Sequence, residues 1–521
     1  MTTHEERIDP VGHRPAGGRE WAGLAVLALP ALLASLELTV THLALPAIGR
    51  DLSASSTELL WIVDVYAFLL AGSLITMGAW GDRIGRRRLL LIGAAAYGAA
   101  SVLAAYASGA PALIAARALM GVAGSTLMPS TLSLTATMFR DPRQRTVAVG
   151  IIVASVSAGT AIGPLVGGWL LERYWWGSVF LLGVPVMACL LLAGPLLLPE
   201  HRDPSAGRMD AVSALSSLAA VLPVVYGLKR IAADGPDPVS VLAVLAGGVL
   251  AVLFVRRQRG LADPFVDPRL FADRAFSTSA GTLALGIFVL WGSNYAVAQY
   301  LQLVHGLSPL DAGLWTAPSA VGVIAGSILA PRIVRRVRPA AVIGAGLAVS
   351  AVGYGMLTQV SEPGGLGLLV SGAVVVSAGL GPMMALATDM VVAAAPRERA
   401  GAAAAISSTA PQLGGALGIA VLGSVITAVY RGEMSESVPP GVPAAVAAAA
   451  RDNLGAAVSA AGTLPGRLGA ETLDLAREAF THGFHLTATI SAVLMGGAAV
   501  LVTVLLGRAV SPLHATPPRS S

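Results

Sequence analysis

The stretch GAWGDRIGRRR, Gly78 to Arg88, lies between two long apolar runs. Arginine accumulates in short loops on the cytoplasmic side of a membrane, so four arginines between segments of lipid-spanning length fix the direction of threading. Gly78, Gly81 and Gly85 let the turn tighten and the two helix ends approach. Asp82 is placed to cap the following helix and to pair with a neighbour such as Arg83 or Arg86. A plain positive-inside loop would explain the arginines but not this Gly/Asp spacing. Gly78, Gly81, Asp82, Arg83, Gly85 and Arg86 therefore read as a gating loop as well as an anchor.

Composition agrees with a chain threaded many times through lipid. Of 521 residues 55% are hydrophobic and 12% charged, and the mean hydropathy is +0.73, outside the range of soluble globular proteins. The net charge of +5 reflects loop arginines and not a nucleic-acid surface. Cys189, the single cysteine, excludes a disulfide framework and a cysteine metal site. The apolar run that follows the polar first twenty residues is too long for the core of a signal peptide.

A helix needs about 20 apolar residues to cross the hydrocarbon core. Runs of that kind occur at 21–46, 57–79, 88–107, 111–138, 146–171, 177–198, 211–229, 238–255, 276–304, 309–331, 339–358, 366–392, 400–429 and 483–508. The expected fold is an all-α polytopic membrane protein with fourteen transmembrane helices. Most of the 34 basic residues then fall in loops on one side, together with both ends of the chain, which makes both termini cytoplasmic. LAPRIVRRVRP, Leu329 to Pro339, echoes AWGDRIGRRRL, Ala79 to Leu89. If these loops correspond, spans one to six repeat as spans nine to fourteen, a 6+2+6 plan of the kind built around a central transport site. The expected divisions are a tail 1–20, a six-helix bundle 21–198, two inserted spans with a linker 199–274, a second bundle 275–508 and a tail 509–521. Within the second bundle the outer loop 430–481 holds AAVAAAARDNLGAAVSAA and AETLDLAREAF, helix-prone but too interrupted to span; a short helical hairpin on the outer face is expected.

Four motifs carry a resemblance to the major facilitator superfamily and, within it, to the fourteen-span drug/proton antiporters. GDRIGRRR resembles the family's loop between helices two and three. Gly150, Gly159, Gly163, Pro164, Gly167 and Gly168 match the spacing of the antiporter motif in the fifth span. LIAARALMGVAG places Arg117 and Gly121 as the family does, and ELTVTHLALP, Glu37 to Pro46, resembles the fourteen-span signature with Glu37 where aspartate is usual. The resemblance implies a major facilitator fold in the bacterial plasma membrane and proton-coupled export of hydrophobic, often cationic drugs or an antibiotic by alternating access. An uptake symporter on the same fold is the alternative, and the antiporter-type fifth span speaks against it. No GxxxxGK[ST] loop and no helix pairing histidine with acids at metal spacing points to an enzyme. The expected unit is a monomer in the lipid bilayer whose partners are the drug and protons, with no nucleic acid, cofactor or metal.

A charge at mid-bilayer costs about 2.5 kcal/mol or more, so a retained one suggests function. Glu37, Asp64, Arg117 and Asp389 are the candidates for proton coupling. Counted at 1.5 Å per residue, Glu37 is roughly 13 Å from the outer end of its span, Asp64 roughly 10 Å and Arg117 roughly 9 Å. Burial favours the protonated acid and a neighbouring arginine the carboxylate, so a change of surroundings can load and unload a proton. The resemblance implies coupling acids at Glu37 and Asp64 and the family arginine at Arg117. Ser408, Gln412 and Val323 stand where several relatives have acids, which narrows the coupling acids to the first half. Asp389 lies near the cytoplasmic end and can instead pair with Arg397 or Arg399. For the substrate, Trp61 and Phe68 share a helical face with Asp64, and Trp291, Tyr295 and Gln299 form a second face. With Asn294 and Gln412 they are the expected pocket, aromatic surface suiting an apolar or cationic ligand.

Overall fold

The computed structural model describes residues 16–139, 141–200, 211–235, 237–261, 264, 268–361, 365–394 and 400–509. Most of the expected tails, most of the linker after Leu261, and Arg397 and Arg399 lie outside these residues. The described chain is helical, in the order α1 Gly18–Asp51, α2 Ser56–Ile84, α3 Arg86–Ala105, α4 Ala110–Gly124, α5 Leu127–Met138, α6 Pro142–Arg173, α7 Ser178–Leu181, α8 Gly183–Leu197, α9 Ala211–Asp234 and α10 Pro238–Gly260. It continues with α11 Arg274–Gln299, α12 Pro309–Ile333, α13 Pro339–Leu357, α14 Leu366–Ala393, α15 Ala400–Ser437, α16 Ala444–Asp452, α17 Leu454–Ala461 and α18 Gly466–Ala509.

Eleven helical segments among the described residues are long and apolar enough to cross a membrane. The expected spans 57–79, 146–171 and 211–229 also fall on helices, α2, α6 and α9, which are not among those eleven. Capping chemistry sets several boundaries. Ser55 accepts from the Glu58 amide while the Glu58 carboxylate accepts from the Ser55 amide at 2.9 Å, a capping box that starts α2. Ser308 caps α12 through the Asp311 amide, and Asn453 caps α17 through the Ala456 amide at 2.8 Å.

Two apolar cores divide the bundle. One joins α1 to α8, and the other joins α11 to α15 with α16, α17 and α18. The halves meet along α6 against α12 and along α2 against α15. Helix α9 lies over the second of these seams: Val221 and Leu222 pack on a cluster formed by Ala67 and Phe68 of α2 and Ala416 and Ala420 of α15. Helix α10 packs on α9 and is otherwise almost wholly exposed, as expected of a helix surrounded by lipid.

The segment 430–481 differs from its expected form. Both α16 and α17 fall within AAVAAAARDNLGAAVSAA, and AETLDLAREAF is continuous with the last helix. At 44 residues, α18 is about 66 Å long, twice the roughly 30 Å of hydrocarbon. The charges that argued against a span mark the part of α18 that projects beyond lipid and do not interrupt it.

Candidate functional site

The site begins with how closely α6 and α4 let α1 and α2 approach. A Cβ on Gly159 would lie 2.2 Å from the Leu32 carbonyl oxygen, and one on Gly163 would lie 1.9 Å from Thr39 Oγ1. Ser35 Oγ donates to the Val156 carbonyl at 2.7 Å, fastening α1 to α6. Likewise a Cβ on Gly121 would meet the Tyr66 carbonyl at 2.6 Å, so α4 lies against α2 backbone to backbone, as small residues allow. Gly150 lies within α6, but its surroundings fall outside the described contacts.

This packing seals Arg117 completely inside the first half, at 0% exposure. Its Nε donates to the Ile62 carbonyl at 3.0 Å, its Nη1 donates to Glu37 Oε1, and its guanidinium stacks 4.2 Å from the centre of the Tyr66 ring. The Phe180 ring lies on it at 5.6 Å. Glu37 Oε2 and Arg117 Nη2 have no hydrogen-bond partner among the described residues. A buried charge pair left with spare donor and acceptor capacity is poised to exchange partners.

Asp64 is fully buried as well. It lies two residues from both Ile62 and Tyr66, about 200° around α2, so it faces away from the Arg117 side and toward the second half. Leu60, one turn before it on the same face, meets the Tyr295 ring of α11 beside Gly423. His42 of α1 meets the same tyrosine edge to face, with ring centres 6.2 Å apart. Glu37 and Arg117 are a pair within the first half, and Asp64 looks across the boundary between halves. Asp389 is exposed on α14 and stands apart from these buried groups.

The expected substrate residues also separate. Phe68 is buried in the α2/α15 cluster, with Trp291 packed on it; the Trp291 ring fills the space beside Gly415. Val221 and Leu222 of α9 pack on the same cluster, which makes it an apolar seam. Tyr295 and Gln299 instead line a small cavity with Ser56, Leu59, Thr427, Tyr430 and Asn453. Trp61 and Gln412 are half-buried, and Asn294 is exposed: it follows Ser293 and precedes Tyr295 by one step, about 100° off the buried face.

In the Gly78–Arg88 segment, Asp82 lies inside α2, and Gly85, with φ +112°, is the N-cap of α3 without a side-chain cap. Asp82 therefore does not begin α3 as expected; its side chain and the surroundings of Gly78 fall outside the described contacts. Glu200, just past α8, takes the capping place: it accepts from the Arg87 amide at 3.2 Å and lies within 3.6 and 3.8 Å of Arg87 and Arg88. Arg87 Nη1 also donates to the Leu198 carbonyl at 3.0 Å. An acid beside an amide at a helix start is favourable, and here it ties the arginine loop to the end of the first half. The sequence signal was the acid closing an apolar run in LLLPE.

The α6–α12 contact between halves includes Gly168, where a Cβ would fall 2.5 Å from Leu310 Cα and 2.8 Å from the Pro309 carbonyl. A Cβ on Gly313 would lie 2.3 Å from the Pro164 carbonyl. Backbone cannot step aside as a side chain can. Gly168→Val is expected to disfavour this closed contact by about 1–3 kcal/mol, shifting the balance between closed and open arrangements by about 5- to 150-fold. The check is a double-cysteine cross-linking yield across α6 and α12, which falls while the protein level in the membrane holds.

The sequence matches the Major Facilitator Superfamily over residues 27–419. The chain is 43% identical to the multidrug efflux pump LfrA of Mycolicibacterium smegmatis over 94% of this chain and 97% of that one. It is 35% identical to the methyl viologen resistance protein SmvA of Salmonella typhimurium over 92% and 97%, and 34% identical to the tetracenomycin C resistance and export protein of Streptomyces glaucescens over 96% and 94%. Among solved structures, an inward-facing bacterial homologue of the human lysosomal transporter Spinster superposes with a TM-score of 0.67 at 20% identity, over 96% of this chain and 100% of that one. A peptide transporter of the POT type superposes at 0.60 and 17% identity over 93% and 94%. At such identities these two likenesses concern the fold.

Proposed function

Because the chain belongs to the major facilitator superfamily, we propose that it exports hydrophobic, often cationic drugs or an antibiotic from the cell in exchange for protons, by alternating access. It is an efflux transporter and not an enzyme: three relatives matched over nearly their whole length are named for drug efflux, drug resistance or antibiotic export. The observation that carries the proton half of the reading is the burial of the Arg117–Glu37 pair and, on the opposite face of α2, of Asp64, all within 4% exposure in the body of an apolar bundle. Ionisable groups at such depth are retained where they carry charge or protons.

The finer reading makes α2, α6 and α9 cross the bilayer with the other eleven segments, giving a fourteen-span 6+2+6 antiporter. Arginine distribution supports both termini on the cytoplasmic side of the bacterial plasma membrane. The two apolar cores support the division at 21–198 and 275–508, with α9 and α10 as the insertion. Gly78–Arg88, held by Glu200, acts as the inner gating loop, and α6 with its glycines as the sliding contact. A monomer suffices for this cycle.

The test is direction. In everted membrane vesicles an imposed gradient, acid inside, should drive a lipophilic cation such as tetraphenylphosphonium inward, and dissipating the gradient should stop it. Movement of the cation down the same gradient together with protons would mark an uptake symporter and overturn the reading.

A further inference from the structure

Tyr295 and Gln299, read from the sequence as part of the substrate pocket, line a cavity of about 30 Å³, too small for a drug. It lies at the end of the bundle that carries the α1–α2 turn, the outer end in the proposed orientation. Its roof is the corner between α16 and α17. There Asp452 pairs with Arg431 of α15, the Asp452 carbonyl accepts from Ser56 Oγ at 2.6 Å, and the Asn453 amide group reaches the Ala54 carbonyl at 3.5 Å. Tyr430 donates to the Ala450 carbonyl at 2.6 Å from the same wall. The roof therefore bridges the first half, through Ala54 and Ser56, and the second, through Tyr430 and Arg431.

Below the roof the space measures about 30 Å³, room for water, which needs about 10–15 Å³ and two to four polar partners. Ser56, Gln299, Thr427, Tyr430 and Asn453 supply those partners. Its floor is Tyr295, buried at 5% exposure, with Gln299 one helical turn further along the same face of α11. Leu60 and the Tyr295 ring close together beside Gly423, and Asp64 lies one helical turn further along the same face of α2. From the start of α2 at Ser56, Asp64 is about 12 Å deep, and from the end of the α11 segment at Val304, Tyr295 is about 13 Å deep. The tyrosine and the acid share a level, with the cavity on the outer side of both.

We propose that this cavity is the outer proton chamber of the transporter, and that Tyr295, oriented by Gln299, relays protons from it to Asp64. The inference rests on the reading of the chain as a proton-driven exporter. In the relay, hydronium in the chamber gives a proton to the Tyr295 hydroxyl oxygen as that hydroxyl passes its own proton to the Asp64 carboxylate. Tyrosine ends neutral, Asp64 becomes a neutral acid, and a water molecule is left behind. The groups facing Tyr295 from the packed helices are Asp64 of α2 and His42 of α1. Tyr430 lies across the chamber, and the Arg431–Asp452 pair lies in its roof. Tyr295 and Gln299 are positioning residues in this scheme: they set how protons reach the acid, and Asp64 carries them.

The experiment uses purified full-length protein in proteoliposomes with tetraphenylphosphonium as the probe and two readouts. One is transport driven by an imposed proton gradient. The other is exchange of labelled for unlabelled probe without a gradient, which needs no net proton movement. Tyr295→Phe should lower the first by about 100-fold, the scale of a lost positioned proton donor, and leave the second unchanged. Gln299→Leu should lower the first less and also spare exchange. Gradient-driven transport at the wild-type rate in Tyr295→Phe would overturn the relay, as would equal loss of both readouts, which marks a role in packing. Asp64→Asn run alongside separates this from the reading beneath it: if Asp64→Asn fails while Tyr295→Phe transports, the relay is wrong and the exporter stands, whereas full gradient-driven transport by Asp64→Asn sinks the proton-coupled exporter itself.

Discussion

Replacing Asp64 by asparagine is expected to abolish drug export while leaving the protein at its normal level in the membrane. Asparagine keeps the shape of a protonated aspartate but cannot give the proton up, so a transporter that must alternate between acid and carboxylate is held in one state. Asp64 is fully buried, and a neutral side chain of equal size keeps the packing while relieving a desolvation cost. Loss of export with retained folding is therefore a signature of proton carriage and not of damage. Glu37→Gln should give the same result for the same reason, with one difference. Glu37 accepts from Arg117, so its replacement also frees the arginine from its partner and should lower thermal stability, whereas Asp64→Asn should not. Resistance in a susceptible host and melting temperature in detergent check the two together.

The second large effect is expected at Arg117. Its guanidinium binds the Ile62 carbonyl, holds Glu37 and stacks on Tyr66, so one side chain joins α4 to both α1 and α2. Arg117→Ala leaves the Glu37 charge buried without its partner, a change that costs about 3–5 kcal/mol. Low membrane levels or a fall in melting temperature should follow, along with loss of export. Combining Arg117→Gln with Glu37→Gln removes both charges at once and is expected to restore much of the stability. It should not restore transport. Arg117→Lys tests the geometry: an ammonium group lacks the planar fork that reaches a carbonyl and a carboxylate while stacking on a ring. It should fold better than Arg117→Ala and export less than wild type.

How much of this was legible in the sequence depends on the range of the interaction. Arg117 and Glu37 stood out because charge is rare in apolar runs, and they are brought into contact. The face shared by Trp61, Asp64 and Phe68 followed from helical spacing alone. What lies against that face did not, because Phe68 is covered by Val221 and Leu222, about 150 residues further along the chain. Spacing finds a stripe; it does not say whether the stripe lines a wet cavity or a dry seam. Glu200 escaped for a similar reason, being 113 residues from the amide it caps. Asp82 was given that role on local chemistry, and the positive φ of Gly85 together with a distant carboxylate took it over. The length of α18 was underestimated because charge was read as a break in the helix, when a helix leaving lipid can carry charge without breaking.

In this exporter the buried acids of α1 and α2 release protons as the substrate binds. Purified protein in weakly buffered detergent solution with a pH-sensitive dye measures this directly on addition of tetraphenylphosphonium. The wild type should acidify the solution, and the Glu37→Gln, Asp64→Asn double variant should not. Proton release of equal size from both proteins would contradict the account.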